Sequence, residues 1–256
     1  MRSVIVIPAR YASQRLPAKV LLKETGKYLV QHVYERACLA RRAEAVFIAT
    51  DDPRVEAAAQ SFGAHVIRTS PHHSCGTERV AEVAQRVPAE IFVNLQGDEP
   101  LVEPSHLDYL IELLQRHRDC PLATLATPIT SREEYLDPSV VKVVVGDQGQ
   151  ALYFSRSPIP YVRDGEPDFA ATPTVFLRHV GLYAYRRDLL LRWANTPPHP
   201  LETTEKLEQL RALALGVRIQ VGLVAHAERG VDTWDDYRRF VHRYRQLVEL
   251  LSRQAA

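Results

Sequence analysis

The sequence predicts an α/β protein: a mostly parallel, Rossmann-like sheet with helices on both faces and an inserted, partly antiparallel lobe. Three observations carry this. Short, unbroken, β-branched apolar runs such as Val4-Ile5-Val6-Ile7 have the pattern of strands buried on both faces. These runs alternate with stretches whose apolar residues recur at helical spacing, the order of a parallel sheet with crossover helices. The pattern then changes between about 120 and 200, where prolines 158, 160, 167 and 173 punctuate a different set of strands.

The first strand, 4–7, runs into a polar loop, after which Leu29, Val33, Ala37 and Ala40 mark a helix. Val46–Ala49 is a second buried strand, ending in Thr50-Asp51-Asp52. A helix over 53–62 and a strand over 64–67 follow, then a helix over 77–87 and a strand over 91–95. Pro104 starts the next helix, with Leu107, Leu110, Ile111 and Leu114 on one stripe. The different set comprises strands at 122–126, 140–145, 151–154 and 175–185, with Asp147-Gln148-Gly149 as a hairpin turn. A helix over roughly 201–215, a strand at 218–224 and a terminal helix bearing Phe240, Tyr244, Leu247 and Leu251 complete the chain. No repeat or linker interrupts it, so residues 1–256 read as a single domain in which about 120–215 are inserted.

Composition narrows the class. At 256 residues, 46% hydrophobic and 25% charged, the chain has ample material for a core. Lys plus Arg number 32 against 31 Asp plus Glu, which argues against a nucleic-acid partner. Cys38, Cys75 and Cys120 are odd in number and scattered, as reduced cytoplasmic thiols are. The apolar start is too short for a signal peptide, and no run is long enough to span a bilayer. A cytoplasmic protein without a membrane partner is expected.

In parallel sheets ligands bind outside the carboxyl ends of the strands, which directs attention to 8–19, 50–52, 96–100 and 230–233. The loop after the first strand carries Arg10, Arg15 and Lys19, three cations within ten residues. Such a cluster suits a polyanion such as a nucleoside triphosphate. A solvated basic loop is the plainer alternative; position at a strand's carboxyl end favours the anion. Neither a P-loop nor a dinucleotide glycine fingerprint is present, so phosphate recognition would rest on side-chain cations.

At Asn94-Leu95-Gln96-Gly97-Asp98-Glu99-Pro100 a buried strand emerges, Gly97 permits a bend and carboxylates stand at its mouth. Mg2+ takes oxygen ligands, commonly one or two carboxylates with phosphates and water, and Asp98 is the natural candidate. Glu99 is expected to point away if the backbone stays extended. Pro104 places the next helix start too far on for Asp98 to cap it. In Gly230-Val231-Asp232-Thr233-Trp234-Asp235-Asp236, Thr233 and Asp236 make a capping-box-like start for the terminal helix. Asp232 precedes the cap and is free to be a second metal ligand. His72-His73-Ser74-Cys75 lacks a second pair at zinc-finger spacing, and no nucleophile elbow supports hydrolysis.

Together these segments resemble the 3-deoxy-manno-octulosonate (Kdo) cytidylyltransferases, which make CMP-Kdo for lipopolysaccharide. The likeness includes PARYASQRLPAK at 8–19, ATDD at 49–52, CGTERVAEV at 75–83, VNLQGDEP at 93–100 and DPSVVKVV at 137–144. It continues in ALYFSRSPIP at 151–160, FLRHVGLYAYR at 176–186, LEQLRAL at 207–213 and GVDT at 230–233. The resemblance implies transfer of CMP from CTP to the anomeric hydroxyl of the sugar acid, with release of pyrophosphate. It implies that Pro8, Ala9, Arg10, Arg15 and Lys19 hold the nucleotide, with Lys19 close to the α-phosphate. Cys75, Thr77, Arg79 and Gln96 would surround the cytosine, and Asp98 and Asp232 would bind Mg2+. Lys19, Asp98 and Asp232 are thus the catalytic set. Arg156, His179, Tyr183, Glu208 and Gln209 would hold the sugar acid, and the inserted lobe would form a homodimer contact. Rival expectations are a cytidylyltransferase for the 8-amino analogue or another sugar acid, and a non-catalytic nucleotide sensor.

The chain departs from the family pattern. Cys75 replaces a serine, Ala18 and Val20 replace Gly and Pro beside Lys19, and Tyr28 follows Gly26-Lys27 where Pro is usual. Alanine tolerates positive φ poorly, so an altered loop geometry is expected at Ala18.

Overall fold

The apolar runs form the strands that their pattern predicts. In a computed structural model, which describes residues 1–12, 16–193 and 195–254, β1 (Ser3–Pro8) is followed by α1 (Leu29–Ala37) and β2 (Ala45–Thr50). Next come α2 (Pro53–Ser61), β3 (His65–Arg68), α3 (Gly76–Arg86), β4 (Ile91–Asn94) and α4 (Pro104–Arg116). β1 lies between β2 and β4, and β3 adds beyond β2, all parallel. Strand periodicity sends Ile5 and Ile7 to one face, against Val33, Leu107 and Leu110. Val4 and Val6 go to the other face, against Val80, Val83 and Ala84. With helices on both sides, every residue of β1 and β4 is buried.

The second half contributes β5 (Leu122–Pro128), α5 (Arg132–Leu136), β6 (Lys142–Val145), β7 (Ala151–Ser155), β8 (Leu177–Arg186) and α6 (Arg187–Trp193). Then follow α7 (Pro200–Glu205), α8 (Gln209–Ala214), β9 (Ile219–Leu223) and α9 (Trp234–Gln254). The antiparallel set expected over 120–215 is there, and two of its strands are central members of the main sheet. The order is β3-β2-β1-β4-β8-β5-β9, with β8 antiparallel to both neighbours and β9 parallel to β5. β6 and β7 form a hairpin off β8. Its turn is the predicted one, with Gly149 at φ 75 and the Gly146 amide donating to the Gln150 carbonyl at 2.9 Å.

The helix expected over 201–215 is two helices. Lys206 takes a left-handed conformation, φ 55, and ends α7. Arg211 of α8 folds back to donate from Nε and Nη2 to the two carboxylate oxygens of Glu202, both at 2.6 Å. Helices α5 and α6 are too short to leave a periodic signature. The terminal helix starts as predicted: the Asp236 amide donates to Thr233 Oγ1 at 3.2 Å, and the Thr233 amide donates to Asp236 Oδ2 at 2.8 Å. One backbone bond brings the last segment to the turn after the central strand β4, from the Val231 amide to the Asp98 carbonyl at 2.7 Å.

Candidate active site

The carboxyl ends of β1 and β4 and the segment before α9 meet at a cleft of about 210 Å³. Pro8, Arg10, Lys19, Gln96, Asp98 and Asp232 line it. Gly97 is required here for a steric reason: a Cβ at this position would lie 3.0 Å from the Pro8 carbonyl oxygen. After it the chain turns, the Glu99 amide donating to the Gln96 carbonyl at 3.2 Å. Lys19 opens a short 3₁₀ turn, Lys19–Leu21, whose preceding residue Ala18 has φ 51. The backbone therefore takes the left-handed conformation that glycine favours, despite the methyl group.

Lys19 Nζ lies 2.5 Å from Asp98 Oδ2 and 3.2 Å from Asp232 Oδ1. Two carboxylates from distant segments thus converge on one cationic atom. This oxygen-only pair fits Mg2+, which takes one or two carboxylates and completes its shell with phosphate and water. Glu99 does not line the cleft of Lys19 and Asp98. The turn carries its side chain to a neighbouring cleft of about 450 Å³, which it lines with Asp232, Arg178 and His179. Burial, then the charges of Asp98 and Asp232, push its carboxyl up to about 8.

A third cleft of about 240 Å³ is lined by Thr77, Asn94, Gln96, His179, Tyr183, Glu208 and Gln209. Gln96, Asp232 and His179 are each shared between two clefts, so the three adjoin as one basin. Here the register of β8 matters. His179 pairs with Ala126 and Tyr183 with Thr124 across a β-bulge in the ladder, and their ring centroids lie 5.3 Å apart. His179 Nε2 is 2.9 Å from Thr124 Oγ1, and burial pulls the imidazole down to about 3. It is a neutral hydrogen-bonding group at physiological pH.

Not every expected residue reaches the basin. Ala9 is fully buried, and its amide donates to the Ala49 carbonyl at 2.9 Å, so that N–H is engaged within the sheet. Arg79 is 1% exposed and pairs with Asp51 at 3.1 Å, just beyond the carboxyl end of β2. Arg156 donates from Nε to the Glu205 carbonyl at 2.7 Å and from Nη1 to the Pro138 carbonyl at 3.0 Å, and it does not line the cleft of His179 and Tyr183. Cys75 is the N-cap of α3 and makes no side-chain cap bond. Burial first, and the nearby Glu208 carboxylate next, push its thiol up to about 12. Arg15 lies outside the described residues.

Asn94 was not anticipated. It is 1% exposed, donates from Nδ2 to Thr77 Oγ1 at 3.4 Å and accepts from Gln96 Nε2 at 3.0 Å. A lone amide closing an apolar strand is the signal that could have found it, because a buried polar group needs partners.

Comparisons with known proteins bear on this geometry. The cytidylyltransferase family matches residues 4–219. The 3-deoxy-manno-octulosonate cytidylyltransferase of Geobacter sulfurreducens is 48% identical over 248 residues, covering 95% of this chain and 99% of that one. The Escherichia coli protein of the same name is 47% identical, covering 91% and 92%. A solved structure of a CMP:2-keto-3-deoxy-manno-octonic acid synthetase complexed with CTP superposes with a TM-score of 0.90 at 46% identity, covering 96% of this chain and 99% of that one. The chain belongs to the 3-deoxy-manno-octulosonate cytidylyltransferases. The resemblance read from the motifs is thereby borne out, as is the mixed sheet with flanking helices. Membership of that family agrees with the meeting of the loop after β1, the turn after β4 and the segment before α9 at one cleft.

Proposed function

We propose that this chain transfers CMP from CTP to the anomeric hydroxyl of Kdo, releasing pyrophosphate and supplying CMP-Kdo for lipopolysaccharide synthesis. The observation that carries the proposal is the basin itself, in which Gln96 joins a cationic, carboxylate-bearing cleft to a polar cleft beside it. The first suits a triphosphate and the second a polyhydroxylated acid.

The triphosphate lies along Arg10 and Lys19, whose charges offset its own. Cytosine reaches toward Thr77 and Gln96, with Asn94 fixing both. The sugar acid sits against His179, Tyr183, Glu208 and Gln209, a set of neutral and anionic groups suited to hydroxyls. Asp98 and Asp232 would hold Mg2+, which when bound would supply Lewis-acid polarisation of phosphate oxygen. Lys19 serves as the second cation at the transferred phosphoryl group. The anomeric hydroxyl gives up its proton to water as its oxygen bonds to the α-phosphorus and the bond from that phosphorus to the bridging oxygen of pyrophosphate breaks. Positioning and charge neutralisation do most of this work.

The enzyme acts in the cytoplasm as a homodimer built on the antiparallel part of the sheet. Leu152 of the hairpin strand β7 and Tyr161 beyond it are 55% and 84% exposed, which supports a contact there. Among the described residues no helix is long and apolar enough to cross a membrane.

The test is pyrophosphate release from CTP and Mg2+ with Kdo, its 8-amino analogue and a sialic acid in parallel. Fastest release with Kdo is expected. Preference for another acid would move the substrate, and silence with all three would overturn the proposal.

A further inference from the structure

Where β1 gives way to its loop, Tyr11 carries a guanidinium on its ring: Arg54 Cζ stands 3.3 Å from the ring centroid. Arg54 is held there by Asp52, with Nε to Oδ1 at 2.9 Å and Nη2 to Oδ2 at 2.7 Å. Asp52 is fixed in turn as the N-cap of α2, accepting from the Arg54 amide at 2.8 Å, while its own amide donates to Thr50 Oγ1 at 3.2 Å. A chain of contacts therefore runs from the carboxyl end of β2 to the residue next to Arg10.

The cluster is poorly placed to stabilise the fold. The Arg54 side chain is 58% exposed, and exposed ion pairs contribute little. Its geometry is nonetheless specific. A planar fork matched to both oxygens of one carboxylate fixes the guanidinium plane, and the ring stacks on that plane. What such a stack can do is restrict the backbone at Tyr11, and Arg10, one residue earlier, lines the cleft with Lys19 and Asp98.

We propose that Asp52, Arg54 and Tyr11 form a latch that positions Arg10 for the triphosphate, with Arg54 and Tyr11 as positioning residues that do not touch substrate. The inference rests on the assignment of that cleft to the nucleotide. Holding Tyr11 and Arg10 in place before the ligand arrives lowers the entropic cost of binding. Removing the latch therefore weakens nucleotide binding and leaves the bound complex, and its turnover, unchanged.

The experiment compares the full-length chain with Arg54→Ala, Tyr11→Leu, the double variant and Tyr11→Phe. Arg54→Ala leaves the Asp52 cap intact, because that bond is to the backbone amide. Expected are a rise of about two- to fivefold in KM for CTP, unchanged kcat and KM for the sugar acid, and an unchanged thermal midpoint. The double variant should be no worse than either single one, and Tyr11→Phe, which keeps the ring face, should match the parent. An unchanged KM for CTP, additive losses, a damaged Tyr11→Phe, or a fall in kcat and thermal midpoint would each overturn the latch. Calorimetric titration with CTP and with inorganic tripolyphosphate, without sugar acid, separates this from the wider assignment. If the parent binds them but turns over no sugar acid, the functional proposal fails while the latch is still read from binding. If the parent binds neither, both fail.

Discussion

Lys19 donates from Nζ to Asp98 Oδ2 at 2.5 Å although 79 residues separate them. The contact joins the loop after β1 to the turn after β4, and Asp232 enters it from a third segment. Cation and carboxylates are so arranged that each holds the others in place. Asp98→Asn keeps the volume and removes the charge. Its kcat should fall by at least about 10²–10³-fold, the scale of losing one preorganised charge at a reacting phosphoryl group, with an unchanged far-ultraviolet circular dichroism spectrum. Near-normal turnover at saturating Mg2+ would remove Asp98 from the metal site.

Ala18 has φ 51, a conformation that an L-residue enters at a cost of about 1–2 kcal/mol and glycine enters freely. Part of that cost is offset because glycine also loosens the unfolded chain. Ala18→Gly should stabilise the protein by about 0.5–1 kcal/mol, raising the thermal midpoint by about 1–4 °C. Destabilisation would mean that the alanine methyl group has packing contacts that outweigh the backbone term.

The strands and crossovers around β1 to β4 were legible because burial on both faces leaves a continuous apolar run, and because each helix keeps one stripe. Asp98 and Asp232 stood out for a different reason: neither lies where it would cap the helix that follows, and the capping role of Asp236 proved to be as read. What escaped was set by distant contacts. Nothing local in 201–215 announces a left-handed Lys206; the break is held from α8 by Arg211. The resemblance assigned Arg79 to the nucleotide and Arg156 to the sugar acid; in the fold Asp51 and the carbonyls of Glu205 and Pro138 engage them.

Cys75 occupies the N-cap of α3 and makes no side-chain cap bond. A serine hydroxyl accepts from the first-turn amides far better than a thiol does. Cys75→Ser should therefore stabilise by about 0.5–1 kcal/mol, read as a higher midpoint in urea. The same hydroxyl would face Glu208, so KM for the sugar acid should be measured beside it. A lower midpoint would show that burial of the sulfur outweighs the cap.

His32 is 6% exposed, packed edge-on against Phe240 and Tyr244, and burial holds it down at about 4. The sign follows from its folded value lying below the unfolded one. Above pH 6.5 the ring is neutral in both states; between about 6.5 and 4 only the unfolded state takes up the proton, so stability falls on acidification. His32 alone should cost the fold about 2–3 kcal/mol by pH 4. In urea titrations at a series of pH values, His32→Gln should be less stable at pH 8 and show a flatter slope from 6.5 to 4. An unchanged slope would assign the acid sensitivity to other groups, His179 first among them.

Glu202 and Arg211 are 8% and 3% exposed and meet in a two-pronged ion pair that closes the α7–α8 corner. The guanidinium also lies 4.7 Å over the Trp193 ring, so three helices meet at this charge. Glu202→Gln leaves a buried cation with half its compensation and should destabilise by about 3–5 kcal/mol. Replacing both partners, as Glu202→Gln with Arg211→Met, removes the orphaned charge and should recover part of that loss. The corner also sets where α8 begins, and Glu208 and Gln209 sit at that beginning. The single variant should accordingly raise KM for the sugar acid more than KM for CTP at a temperature where it is still folded. Equal effects on both substrates would mean that the ion pair supports the fold at large and does not orient the sugar-facing pair.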